Sequence, residues 1–432
     1  MQVIYQDLAL FSHMSIAENI AINKIRQSGK HLVRQQEIKA IAKEQLDRIG
    51  VSLDLERTIQ ESSMGNRQIT AICRALALDA KILFLDEPTT ALTNHEVDRL
   101  LSILTELKAN GLSIVFISHK LDEVFQVSDR ITILRDGFKV GDFAAKEIDR
   151  KQLVYHMTGR NIDYPKYVKA KESSKQVLSV QNLSGNKFSN ISFTVEEGDI
   201  VGLAGLLGSG RTELALSLFG LNPPSEGEIQ LNGRPYRPTS TQHAKEMGIA
   251  LLPEDRLVQG LFLEKNIKQN VSSSVLGALV KPLNRIDLQK EHEVGDRIVK
   301  QMRVKTPSLF TLIQNLSGGN QQKAVLGKWI ITDPKLFIMD SPTVGIDVGS
   351  KAEIYEIIQD LAREGMSIIL ISDEAEEIVA NCNKVVVFAQ GKVKTILHEE
   401  ELAQEDIEHT LTQIIGNINK NYGDGGTEHA DQ

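Results

Sequence analysis

The chain has 432 residues, 41% hydrophobic and 25% charged, with formal net charge −8 and 2 Cys. That length accommodates two to four domains with cores of their own, and the ordinary apolar and charged fractions exclude a disordered, collagen-like or disulfide-stapled chain. The acidic balance argues against binding of nucleic-acid phosphate, no apolar run reaches the roughly 20 residues of a membrane span, and residues 1–20 lack the pattern of a signal peptide.

In chain order, the first half carries Ser63-Met64-Gly65-Asn66-Arg67-Gln68 and then an apolar run, Ile82 to Leu85. That run ends in Asp86-Glu87-Pro88-Thr89, as a buried parallel strand ends in a loop. A helical pattern from Glu96 to Ala109 stops at Gly111, and a second strand, Ile114 to Ile117, leads to Ser118 and His119. Residues 146–176, with scattered Lys, Pro165 and Ser173-Ser174, read as the region of a linker. In the second half, an apolar strand (Ile200 to Ala204) runs into Gly205-Leu206-Leu207-Gly208-Ser209-Gly210-Arg211-Thr212, which opens a helical pattern to Phe219. Ser317-Gly318-Gly319-Asn320-Gln321-Gln322 follows, then the run Leu336 to Met339 ending in Asp340-Ser341-Pro342-Thr343. A helix from Ala352 to Arg363, a stop at Gly365 and a strand from Ile368 to Ile371 precede Ser372 and Asp373. After about Ile415 the composition turns polar, and a disordered tail is expected over 417–432.

The two halves are one pattern written twice. Ser63 to Asp86 is 86−63 = 23 positions and Ser317 to Asp340 is 340−317 = 23; Asp86 to His119 and Asp340 to Asp373 are both 33 (119−86, 373−340). Strand, helix, strand with short connections predicts βαβ units, hence a tandem α/β protein with mostly parallel sheets covered by helices.

The loop Gly205 to Thr212 has the context of a P-loop: glycines let backbone N–H groups curl around a phosphate, and the helix N-terminus adds a favourable dipole. Its spacing is that of a Walker A motif with Arg211 in place of Lys, a planar fork instead of a compact ammonium. Asp86 and Asp340 end strands where a carboxylate would orient Mg²⁺, and Thr212 offers a hydroxyl to the same ion. Glu87 is placed to polarise an attacking water, and His119 to hold a phosphate and orient Glu87. Ser341 and Asp373 take those two places in the second half, where a hydroxyl is no base and a carboxylate repels phosphate.

These residues closely resemble the ATP-binding cassette (ABC) family, over nearly all of 1–415. Leu316 and Ser317, Gly318, Gly319, Asn320 and Gln321 resemble its signature loop, which caps ATP held on the opposite cassette; the stretch around Ser63 and Gly65 is a weaker version. Gln6 looks like the Q-loop glutamine that links Mg²⁺ to the membrane partner, and Glu254 stands in its place in the second half. With Pro253-Glu254-Asp255-Arg256 and the tandem arrangement, the resemblance narrows to twin-cassette ATPase subunits of ribose/galactoside-type importers. It implies tandem P-loop NTPase domains, each with a helical subdomain: a first cassette over 1–160, a linker over 161–176 and a second cassette over 177–416. It further implies ATP and Mg²⁺ as cofactors, and membrane permease subunits and an external sugar-binding protein as partners. Nucleic acid is not among the expected partners; a homodimer within the transporter is an arrangement the resemblance allows. The resemblance implies action at the cytoplasmic membrane face, and Cys73 and Cys382, without disulfide or metal spacing, fit a reducing compartment. Ser15 to Ile20 and Glu264 to Ile267 read either as part of the permease-facing surface or as ordinary helix caps, and Phe188, upstream of the P-loop, as core.

In the second half the first P-loop glycine precedes the Q-loop position by 254−205 = 49 residues; applied to Gln6, this puts a first P-loop at 6−49 = −43, before Met1. The reading favoured on that ground is a truncated product, beside a catalytically inactive regulatory subunit and a tandem-cassette ribosome-associated factor. The family pairs each P-loop with the other cassette's signature loop. One site is therefore expected to be degenerate (Arg211, Ser341, Asp373, Ser63) and the other competent but without its P-loop. The purified chain is then expected to show no steady ATP hydrolysis; turnover abolished by Glu87→Gln would contradict this. Apolar surface is expected on the first sheet.

Overall fold

Apolar runs bounded by turn residues form parallel strands here, in a computed structural model whose contacts divide the chain into Met1–Asn161 and Ile162–Gln432. It describes all residues except 30, 31, 90, 91, 93, 119, 136, 162–165, 171–174, 207, 284, 405 and 421–432, and except the side chains of 94, 95 and 416–420.

The first unit opens with β1 (Gln2–Ile4), followed by α1 (Ile16–Ser28), α2 (Gln35–Arg48) and α3 (Met64–Leu76). β2 (Ile82–Asp86), α4 (Asn94–Ala109) and β3 (Ser113–Ile117) make the expected βαβ unit. α5 (Leu121–Val127), the hairpin β4 (Arg130–Arg135) and β5 (Phe138–Ala144), and α6 (Arg150–Thr158) complete it. β1, β2 and β3 form a parallel sheet in that order. Ile20, Ile72, Leu83, Leu85 and Leu104 pack a core between that sheet and the helices.

The second unit begins with β6 (Gln176–Gly185), β7 (Phe188–Glu196), β8 (Ile200–Gly205) and α7 (Arg211–Leu218). β9 (Glu226–Leu231), β10 (Arg234–Pro235), α8 (Thr241–Glu246) and β11 (Ile249–Leu252) follow. A mainly helical segment holds α9 (Ile267–Ser272), the hairpin β12 (Val280–Lys281) and β13 (Arg285–Ile286), α10 (Leu288–Gln301) and α11 (Gly318–Ile330). β14 (Leu336–Asp340), α12 (Val348–Arg363), β15 (Ser367–Ile371) and α13 (Ala375–Asn381) are the second βαβ unit and its sequel. The unit closes with β16 (Lys384–Ala389), β17 (Lys392–His398), α14 (Glu399–Leu402) and α15 (Ile407–Lys420). Its main sheet runs β11-β14-β15-β8-β16-β17, parallel except for the β16–β17 pair, beside an antiparallel sheet β10-β9-β6-β7.

The order β1-β2-β3 repeats as β11-β14-β15, but the repeats differ in cover. Every residue of β14 and β15 is buried, as in a parallel strand with helices on both faces. In β3, whose neighbour is β2 alone among the described strands, Val115 is 41% and Ile117 50% exposed. β15 has β8 on its other side; the expected apolar surface on the first sheet lies at the corresponding place.

Packing also redraws the connecting region. Leu153 of α6 is buried in the first unit, and Tyr167 is buried in the second, where its hydroxyl donates to the Gly198 carbonyl at 2.7 Å. The polar stretch 146–176 therefore includes α6 of the first unit as well as the connection that follows it. α15 runs to Lys420, past the point where the polar tail was expected to start; residues 421–432 lie outside the described set.

Candidate functional site

β8 is buried along its whole length and delivers the glycine-rich loop at its carboxyl end, the end at which open α/β sheets bind ligands. The loop turns through Gly210, whose φ of +96° is a left-handed conformation. A Cβ there would lie 2.5 Å from the Lys187 carbonyl oxygen, so the next strand pair leaves room only for hydrogen. α7 starts at Arg211 and directs its first N–H groups into the loop. Phe188 is core: 4% exposed, and packed among the second unit's buried apolar side chains.

Asp340, at the end of β14, is 3% exposed and accepts a hydrogen bond from Thr212 on the first turn of α7. Burial pushes its carboxyl up to about 6, and the nearby Glu254 and Asp373 charges push the same way, against the Thr212 hydroxyl and Arg211. A buried carboxylate, a hydroxyl and the Glu254 carboxylate are hard oxygen donors, the donor set Mg²⁺ takes. Since the folded pKa lies above the ordinary 3.8, the native state binds the extra proton, and stability falls as pH rises from about 4 to 6. Asp340→Asn should therefore stabilise the metal-free chain at pH 7.5 by up to about 3 kcal/mol, with the gain vanishing near pH 4. Urea unfolding at the two pH values checks this.

Arg211 does not reach into an open loop. It is 5% exposed, and Nη2 pairs with the Asp373 carboxylate at 2.5 Å. Nη2 also donates to the Leu206 carbonyl at 3.1 Å, Nη1 to the Ser372 carbonyl at 2.9 Å and Nε to Ser209 Oγ at 3.1 Å. The cation and carboxylate read separately from the sequence thus meet each other.

In the first unit Asp86 ends β2 and Glu87 follows it, at a φ of +44° and with its N–H bonded to the Ile117 carbonyl; Ser341 repeats both features, at +49° and with Ile371. Gln6 Nε2 donates to Glu87 Oε2 at 3.4 Å, so the structure joins these two predicted residues. His119 lies outside the described residues. Ser63 caps α3, and both its hydroxyl (3.1 Å) and the Gly65 N–H (3.2 Å) donate to Glu96 Oε1. The second unit differs there: Ser317 caps α11 and accepts from Asn320 Nδ2 at 2.9 Å, Gly318 and Gly319 follow in the first turn, and Gln321 is buried against the Ile313 carbonyl. Arg256 reaches from after Glu254 to the Val344 and Gly345 carbonyls, at 2.7 and 3.0 Å.

Sequence reasoning passed over a buried network present in both units. Glu123 accepts from Thr89 at 2.6 Å and from Ser118 at 3.4 Å; Glu377 accepts from Thr343 at 2.6 Å and from Ser372. Burial pushes the Glu377 carboxyl up, opposed by those two hydroxyls. Each Glu ties the loop after the strand carboxylate to the end of the next strand, and the equal spacing (123−86 = 37, 377−340 = 37) was the readable signal. Asn19 and Asn270 are a second such pair, each lacing the loop before its helix through Phe11 or Phe262. Ser15 and Asn266 form capping boxes with Glu18 and Gln269, which agrees with the helix-cap reading of those segments.

The sequence model described as ABC transporter matches residues 1–90 and 188–344. Among curated proteins, the chain is similar to the ribose import ATP-binding protein RbsA of Clostridium tetani, 39% identical over 94% of this chain and 81% of that one. It is 40% identical to ribose import ATP-binding protein RbsA 3 of Rubrobacter xylanophilus, over 94% and 81%. The similarity to RbsA of Bacillus subtilis is 39%, over 94% and 82%.

Proposed function

Because this chain belongs to the ABC transporter family, whose import ATP-binding proteins are ATPases coupled to transport, we propose that it is the ATP-driven motor subunit of a membrane sugar importer. The observation that carries this is the glycine-rich loop between β8 and α7, with Thr212 bonded to the buried Asp340 beneath it. The loop through Gly205, Gly208, Ser209 and Gly210 would hold the phosphates, and Thr212, Asp340 and Glu254 the Mg²⁺. Bound Mg²⁺ supplies neutralisation of phosphate charge. In the first unit Gln6 and Asp86 would serve the metal and Glu87 would orient water; the second unit has only the Ser341 hydroxyl at that place and is the slow partner. Ser317, Gly318, Gly319, Asn320 and Gln321 would cap nucleotide held on another cassette.

Among the described residues no helix is long and apolar enough to cross a membrane, so membrane work needs permease subunits. We place the chain on their cytoplasmic side, with a ribose-type sugar delivered by an external binding protein, in line with the names of its relatives. The test is co-expression with the co-encoded permease. The chain should fractionate with membranes only when the permease is present, and should bind a labelled ATP analogue there. Sedimentation with ribosomes, or indifference to the permease, would sink this function.

A further inference from the structure

We propose that Asp373 is an internal competitor for nucleotide phosphate in the second unit: its carboxylate holds the Arg211 guanidinium, and nucleotide must take that cation over. The inference rests on the 205–212 loop being the nucleotide site and adds a gate to it.

Arg211 is 5% exposed, so its charge must be met inside the protein. Leu206, Ser209 and Ser372 each accept one of its N–H groups but bring no charge; Asp373 alone among its hydrogen-bond partners brings the counter-charge. A lysine could not serve these partners at once, because they lie around a planar fork. Asp373 sits at the solvent end of the arrangement, 57% exposed, two residues beyond β15, which pairs directly with β8. It can therefore swing outward while the three neutral partners keep Arg211 in the loop.

The surrounding charges oppose any second anion. Asp340 feels like-charge repulsion from both Glu254 and Asp373, and the neighbouring Glu374 is engaged by Lys351 at 2.7 Å. Arg211 is thus the cation that both Asp373 and Asp340 feel, and an incoming phosphate competes directly with Asp373 for it. Neutralising Asp373 acts twice in one direction: it releases the fork and removes a negative charge beside the phosphate path.

The experiment is a calorimetric titration of the full chain with Mg·ATP and Mg·ADP at fixed ionic strength, comparing wild type, Asp373→Asn and Asp373→Ser. The glycine-rich pattern occurs once in the sequence, so the isotherm reports on this loop. Fluorescence of Trp329, the single tryptophan, shows that each variant keeps the second unit folded. Both variants should bind ATP about tenfold more tightly than wild type and ADP with a smaller gain, since the γ-phosphate carries the added charge. Arg211→Ala should weaken ATP binding, and adding Asp373→Asn to it should restore part of the loss. Unchanged or weaker ATP binding in both Asp373 variants overturns the gate while leaving the nucleotide site standing. Absence of ATP binding in wild type and every variant overturns the site and the gate together.

Discussion

Gly210→Ala should lower the affinity of the chain for Mg·ATP about a hundredfold, equivalent to about 2.7 kcal/mol. Two costs combine. At φ +96° an alanine is strained by about 1–2 kcal/mol. Its Cβ would also stand 2.5 Å from the Lys187 carbonyl oxygen and 3.3 Å from the Phe188 side chain, neither of which can yield without moving β7. The loop must open, and the N–H groups at the start of α7 leave their common focus. Gly208→Ala is the internal control. It sits at φ +78° and pays the same kind of strain, but a Cβ there meets nothing within 4 Å. Its loss should be smaller by about tenfold. Equal effects of the two substitutions, measured by titration, would show that phosphate is not gathered at this turn.

Glu353→Ala should destabilise the second unit by about 3–5 kcal/mol. Lys323, on α11, is 2% exposed and pairs with Glu353 of α12, itself 17% exposed. Removing the carboxylate leaves an ammonium buried with the Arg303 carbonyl, 3.4 Å away, as its other hydrogen-bond partner. The double change Lys323→Met with Glu353→Leu removes both charges and should recover most of the loss, because a buried ion pair is worth little more than well-packed apolar groups. Trp329 lies on the same helix, so its fluorescence in a urea titration reads this unit. A loss under about 1 kcal/mol for Glu353→Ala would mean that the ammonium finds another counter-ion. The pair holds α11 to α12, and α11 begins at the Ser317 loop proposed above to cap nucleotide.

Much of the fold was legible because duplication doubles every signal. The apolar runs before Asp86 and Asp340, and the helices and strands after them, appear at the expected places with ends moved by one to four residues. α12 starts earlier than its apolar pattern because the Asp347 side chain caps it by bonding the Ser350 N–H at 3.0 Å. Glu96 and Ser350 occupy equal offsets (96−86 = 10, 350−340 = 10), so the change of charge was visible, but its target was not. Glu96 binds Ser63 and Gly65 at the start of α3, more than 30 positions upstream, whereas Ser350 bonds its own cap residue Asp347 at 2.8 Å.

By itself the sequence determined the tandem α/β plan, the glycine-rich loop between strand and helix and the carboxylates at the strand ends, because those depend on local periodicity and on residue types at short spacing. Tertiary structure decided which charges meet. Arg211 and Asp373 are 162 positions apart, and Gln6 and Glu87 are 81 apart; each pair is brought together by neighbouring strands of a parallel sheet. It also decided burial: the same kind of apolar run is wholly covered in β15, beside β8, and half exposed in β3. A side chain's partner and its cover are set by the strand or helix that packs beside it, and that neighbour is chosen by the whole chain's folding, not by the residues around it in sequence.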